Sequence, residues 1–166
     1  LGTLHAVTDR EVARLADPGI SWQAEIEPLT YYGVTRAQRE FGRRVGLGLL
    51  GTTAVRSFDD AVLRNQLNSA SLLGGLDGWL FLDSKETWVL SGWSALSRVE
   101  GSARRLIALQ RSSTHYFQRP DAGHVEVDSG ATSLTGFASR YWVNKQKGAL
   151  LFNSAVGFVG PEFDVN

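Results

Sequence analysis

The sequence has 166 residues, of which 43% are hydrophobic, with 17 basic and 17 acidic side chains and no cysteine. That balance leaves no basic field to attract nucleic acid, so none is expected as a partner. The lack of cysteine removes disulfides, thiolate nucleophiles and Cys-ligated zinc or iron–sulfur centres. Nowhere do about 18 apolar residues run together, so any membrane role has to come through strands rather than a spanning helix.

The sequence opens on Leu1, contains no methionine and shows no charged-then-apolar leader, so it is expected to be a fragment of a longer protein. Its 18 glycines are spread evenly and it has only four prolines, which predicts one continuous architecture over 1–166 without an internal boundary. Stretches of about 8 to 14 residues rich in Val, Leu, Thr, Tyr, Phe and Trp, separated by polar connections, predict strands. In chain order the first is Leu1–Thr8, where His5 is expected to be a wall residue. A long connection, Asp9–Thr30, leads to Tyr31–Gly42, and the short Arg43–Arg44 leads on to Val45–Ser57. In this third stretch Val45, Leu47, Leu49, Gly51, Thr53 and Val55 share one apolar face.

Next comes Phe58–Ala70, a long connection with a helical turn expected over 59–67 and an Asp at its cap. The fourth stretch, Ser71–Asp83, sets Leu72, Leu76 and Leu80 against Asp77, Trp79 and Phe81. The short Ser84–Glu86 follows, then Thr87–Glu100, whose orientation stays open because Val89, Trp93 and Val99 oppose Trp88, Leu90 and Leu96. The longest connection, Gly101–Ala131, carries a second expected helix over Ser102–Gln110. Thr132–Asn144 sets Phe137, Tyr141 and Val143 against Arg140 and Asn144; the short Lys145–Gly148 then leads to Ala149–Val159, with Leu150, Phe152, Val156 and Phe158 on one side.

The connections therefore alternate long and short throughout. Strands running up and down place every second connection at the same end, so all long loops gather at one end and all tight turns at the other. Outer-membrane barrels are built this way, with the long loops outside and the turns in the periplasm. The expected fold class is all-β: antiparallel up-and-down strands forming a partial transmembrane β-barrel, about seven strands of a larger one, with short helical turns in the long loops. Tyr31, Tyr32, Phe41, Phe81, Trp88 and Trp142 near strand ends fit interfacial girdles, and glycines such as Gly46, Gly48, Gly74, Gly75 and Gly78 fit a curved wall. A soluble sheet packed on its own core gives the same period for any one strand.

Among polar residues, Arg36, Asp77, Arg98, Glu100 and Arg140 are expected on the more polar strand faces. There they would line a lumen or bind a ligand, because an arginine facing lipid at mid-depth costs about 2–4 kcal/mol. The plainer alternative is ion pairs that fill and rigidify the interior. His115, Tyr116 and Arg119, with Gln118 and His124 nearby, are candidate loop contacts for a ligand. The two histidines match no metal-ligand spacing, so no metal and no cofactor is expected. Asp59-Asp60 and Asp83 with Glu86 read as a helix start and a turn rather than an acid pair. Ser112-Ser113-Thr114-His115 lacks a nucleophile elbow, and no catalytic residue is expected.

Several separated runs carry a resemblance. They are Glu27-Pro28-Leu29-Thr30-Tyr31-Tyr32, the segment from Leu109 to Pro120, Asp128-Ser129-Gly130-Ala131-Thr132-Ser133-Leu134-Thr135-Gly136, Asn144-Lys145-Gln146-Lys147-Gly148, Phe152-Asn153 and Pro161-Glu162-Phe163-Asp164-Val165-Asn166. In this order they resemble a bacterial envelope family of unknown function, whose members follow a carbohydrate-binding module of the family-nine type with a C-terminal membrane-barrel-like region. The resemblance implies a C-terminal barrel segment in the bacterial outer membrane, with lipid as a partner and carbohydrate by association only. The expected function is a non-enzymatic barrel segment involved in transport or capture of a solute or saccharide. The rival expectation is a soluble β-rich carbohydrate-binding domain whose strand-end aromatics stack on sugars, and an enzyme acting on polysaccharide has the least support.

Overall fold

A computed structural model describes residues 1–165 of the chain. Among these described residues, nine strands and two helices occur in the order β1 (Gly2–Thr8), β2 (Glu11–Asp17), β3 (Ile20–Glu27), β4 (Leu29–Phe41), β5 (Val45–Ser57), α1 (Ala61–Arg64), β6 (Ala70–Phe81), β7 (Trp88–Glu100), α2 (Ala103–Gln110), β8 (Ser133–Lys145) and β9 (Phe152–Val159). Seven of the strands form one sheet in the order β1-β4-β5-β6-β7-β8-β9, and every neighbouring pair is antiparallel. The expected all-β, up-and-down arrangement is present. The sheet is open: among the described residues, no strand pairs with the outer edge of β1 or of β9.

The remaining strands, β2 and β3, form a separate hairpin inside the first long connection. Sequence reading treats 9–30 as a plain connection, but its middle, Asp17-Pro18-Gly19-Ile20, is a turn signal between two apolar-periodic runs. Gly19 takes φ +86, which follows a proline naturally in a turn that needs positive φ at its second central residue. A structureless loop of that length would also be unusual.

Because side chains alternate along a strand and directly paired residues share a face, the register settles which residues face together. One face carries Tyr31, Leu47, Leu49, Leu72, Leu76, Leu80, Leu90, Leu96, Phe137, Tyr141, Val156 and Phe158. All of these are exposed, Leu76 at 63% and Val156 at 71%. We call this the apolar face. The other, mixed face carries Arg36, Gly46, Gly48, Asp77, Trp79, Trp93, Ala95, Ser97, Val99, Leu134, Ala138, Arg140 and Trp142. The open question about the fifth predicted stretch is thereby answered: Trp88, Leu90 and Leu96 lie on the apolar face and Trp93 and Val99 on the mixed one.

The protein's own cover lies on the mixed face. Leu106 and Leu109 of α2, with Phe117 and Val125 from the same long connection, pack on Val99 and Leu134 to form the principal buried cluster. Ser102 caps α2 by accepting from the Arg105 N–H at 3.2 Å, the usual way of satisfying a first-turn donor. Past β9 the chain folds back over the same face. A Cβ at Gly136 would collide with the Phe163 backbone, so only glycine admits that crossing.

The long connections meet at one end of the sheet. Arg10 pairs with Glu25 at 2.8 Å and with Asp59, Ser102 donates to Asn65 at 2.7 Å, and Arg105 donates to Asn68 at 2.8 Å. The short turns meet at the other end. Gln146 and Lys147 donate to the carbonyls of Glu86 and Lys85, while Asp83 closes its own turn by accepting from the N–H groups of Thr87 and Trp88. The predicted alternation of connections thus holds.

Candidate functional site

The most chemically varied surface is the turn-end half of the mixed face. Cross-strand register brings Gln38, Gly48, Asp77, Trp93 and Arg140 into one row and Glu40, Gly46, Trp79, Ser91 and Trp142 into the next. Arg36 grips Asp77 with both terminal nitrogens, Nη2 donating to Oδ1 at 2.8 Å and Nη1 to Oδ2. This bidentate form is the strongest geometry available to the two groups. Each side chain keeps more than a third of its surface exposed, at 38% and 37%, so the pair is open to solvent and to a ligand.

Glycine makes that pair possible. Arg36 is on β4 and Asp77 on β6, with β5 between them. A Cβ at Gly48 would stand 2.5 Å from Arg36 Nη2 and 2.7 Å from both carboxylate oxygens, so the bridge crosses directly over a bare backbone. One row on, the Trp79 indole occupies the space above Gly46 and meets Phe81 edge-on at 5.3 Å. The Arg140 guanidinium sits 5.2 Å from the centre of the Trp142 ring, within cation–π range. The patch therefore combines indole surfaces with a paired carboxylate and two guanidinium groups. Flat apolar rings and planar hydrogen-bonding groups are the components that small polar-and-apolar ligands use to orient themselves.

The structure divides the sequence candidates. Arg36, Asp77 and Arg140 lie together on the mixed face, as expected. Arg98 and Glu100 do not: their alternate positions on β7 place them beside Leu72 and Thr135 on the apolar face. There Arg98 donates to Glu100 at 2.7 Å, at the loop-side end of the strand. Their placement follows from the residue count from Leu96, a relation hidden while the orientation of that strand was open. Among the expected girdle residues Tyr31, Phe41 and Trp88 lie on the apolar face, whereas Tyr32, Phe81 and Trp142 turn to the mixed face.

In the longest connection His115 is buried, at 6% exposure. One ring nitrogen meets the Pro161 carbonyl at 2.6 Å and the other meets Asp164 at 2.9 Å. It ties the segment after β9 to the loop and is not displayed to a ligand. Tyr116 is half-exposed with φ +51, and the Nε of Arg119 is buried without a hydrogen-bond partner. The three therefore do not form one contact surface. His5 accepts or donates a 2.6 Å bond with Tyr31 on the apolar face, a wall position. Among the described residues no group of three His, Asp or Glu could hold a metal ion.

Sequence reading places Trp79 on the face of Asp77 but misses Trp93 and Gln38 as its companions. Trp93 and Gln38 come from strands far away in sequence and needed the register.

On the loop rim, the Glu25 side chain is 3% exposed and accepts from the Asp59 and Asp60 N–H groups at 3.0 and 2.8 Å as well as from Arg10. Burial pushes its carboxyl upward, but the Asp60 N–H, Arg10 and the Asp59 N–H together outweigh this and hold it below the ordinary carboxylate range.

Comparisons of the chain with protein-family models, with curated proteins and with solved structures each found no match.

Proposed function

We propose that this chain is a section of a bacterial outer-membrane β-barrel wall. The apolar face lies against lipid, the short turns face the periplasm, and the long connections face outside. The mixed face borders a lumen through which a solute, with saccharides the favoured class, is moved or captured, without catalysis. One observation carries the reading: the protein leaves its greasiest surface bare while packing its own helix and loops on the opposite face. Contiguous exposed apolar patches beyond a few hundred Å² are rare on soluble monomers, and a second layer covering this one is absent among the described residues.

The height of the bare band supports the same reading. From Trp88 to Arg98 strand β7 advances ten residues, about 34 Å at roughly 3.4 Å per residue. At the roughly 45° tilt of a spanning strand this is about 24 Å, close to the apolar belt of outer-membrane barrels. The apolar-face charges Arg98 and Glu100 stand at the loop end of the band, and Lys145 stands at the turn end. Arg39 lies over the Phe41 ring at 5.1 Å near the turns, where a long side chain reaches the interface. The ordered motifs that resemble an envelope family with a barrel-like C-terminal region are in keeping with this.

The test is fractionation of the intact protein from envelopes, followed by gel migration in detergent with and without boiling. Recovery with the outer membrane and a heat-dependent shift in mobility are expected. Recovery in the soluble periplasm would remove the proposal and favour the rival, a soluble carbohydrate-binding domain, for which the partly exposed indoles of the mixed face are the specific attraction.

A further inference from the structure

The sheet ends in two edges that are unusually free of protection. Natural sheets guard their edges with charges, proline, bulges or a covering element, because an unpaired ladder recruits other strands. Here β1 reads Gly-Thr-Leu-His-Ala-Val-Thr and β9 reads Phe-Asn-Ser-Ala-Val-Gly-Phe-Val, with no proline and no Asp, Glu, Lys or Arg in either. Both are exposed along their whole length. Their ladders to β4 and β8 run without a register shift. On β9, Val156 and Phe158 extend the apolar face right up to the edge, and Phe158 stacks on Phe137 at 6.3 Å.

The direction of the edges restricts what can occupy them. Six successive pairings from β1 to β9 are all antiparallel, so the first and seventh strands point the same way, from the turn end to the loop end. Closing β9 onto β1 of the same molecule would make a parallel pair. Joining β9 to β1 of a second copy related by rotation about the barrel axis would do the same. Pairing β9 with β9 of a second copy is antiparallel, but it inverts that copy and puts its long connections on the side of the short turns.

We infer that both edges are pairing surfaces for an odd number of further antiparallel strands, inserted between β9 and β1, and not for each other or for a second copy. Those strands continue the period of their neighbours. Apolar side chains extend the band through Leu49, Leu76 and Phe158, while small or polar ones extend the row through Gly48, Asp77 and Arg140. The common direction of β1 and β9 rests on the sheet alone, while the joining of the two edges by one set of strands, and so its odd number, rests on the proposed barrel reading. The exclusion of an inverted copy rests on the same reading, in which both ends of the wall keep fixed sides.

The test is residue-resolved amide exchange on the intact, unmodified protein, joined to cysteine crosslinking, which this cysteine-free chain reports without background. Alternate amides of β1 and β9, those facing away from β4 and β8, are expected to exchange about a hundredfold more slowly than amides of the 85–87 turn. A control pair, T3C with T35C, sits directly opposed in the β1–β4 ladder and is expected to oxidise to a disulfide. Pairs joining L4C or A6C to A155C or G157C are expected to give none, within or between molecules. Edge amides exchanging as fast as the turn would overturn the inference. So would an intramolecular β1–β9 disulfide, which reports closure of the sheet on itself, or a disulfide-linked dimer, which reports a second copy. Protected edges in a protein recovered from the soluble periplasm would remove the membrane reading and leave the pairing of both edges with further strands standing. Fast-exchanging edges in a protein recovered with the outer membrane would do the reverse.

Discussion

The two faces of the seven-stranded sheet are built from the same strands, yet they are treated in opposite ways. On the mixed face the protein uses its own chain as cover, setting Leu106, Leu109, Phe117 and Val125 over Val99 and Leu134. On the apolar face it offers Leu49, Leu76, Leu96, Phe137 and Val156, all exposed among the described residues. If water were the only solvent, burial at roughly 25 cal/mol per Å² would favour the opposite assignment, with the helix over the leucines. The difference teaches that the described residues supply no cover of their own for the apolar surface, and lipid is the cover we propose for it.

That comparison can be broken from either side. The largest effect is expected from Leu106→Ala, which empties a fully buried position and costs about 2–5 kcal/mol. A lower midpoint of unfolding and faster proteolysis within 101–131 would register it. Leu76→Arg places a charge near the middle of the apolar face and is expected to cost about 2–4 kcal/mol in a lipid bilayer. Denaturant titration of protein folded into liposomes measures this. A neutral result, of the size usual for water-exposed substitutions, would mean that the two faces do not differ in solvent.

Gly48→Val sharpens the comparison within the mixed face. Valine suits a strand, but its side chain enters the space held by the Arg36–Asp77 bridge, and a loss of about 1–3 kcal/mol is expected from overpacking. Introduced together with Arg36→Ala and Asp77→Ala, the same change should cost little, because the groups it meets are gone. Equal losses in both backgrounds would show that the bridge is not what requires glycine.

The smallest effect concerns the loop rim. Glu25 titrates below its ordinary range when folded, so its contribution to docking the hairpin on the 58–60 segment is complete above the unfolded value. It is lost as pH falls through the depressed one. Limited proteolysis of 58–69 should therefore quicken on acidification in the native protein. With Glu25→Gln the cleavage rate should lose that component of its pH dependence, and an unchanged profile would assign the acid response to another group.

Much of this organisation was legible in advance, for identifiable reasons. The seven strands of the large sheet, the sides of Leu47, Leu49, Leu76 and Phe158, and helical turns near Asp60 and after Ser102 follow from a two-residue period and from capping chemistry. Both are local. The β2–β3 hairpin escaped because its Pro18-Gly19 turn was read as part of a connection. Arg98 and Glu100 were assigned to the wrong side because β7 has apolar residues on both faces, which leaves its period without a phase. Of the candidate site, Arg36, Asp77 and Arg140 were recognisable as charges on polar faces. The side of Trp79 follows from its spacing to Asp77, but the grouping of these charges across strands with Trp93 and Trp142 does not.

By itself the sequence determined the strand periods, the alternation of long and short connections, and the lack of cysteine chemistry, because each is a property of neighbours along the chain. Tertiary structure alone decided that Arg36 reaches Asp77 across Gly48, that His115 turns inward to Asp164, and that the helix covers the mixed face and leaves the leucines bare. These depend on register between distant strands, where a shift of one residue exchanges the two faces of a strand.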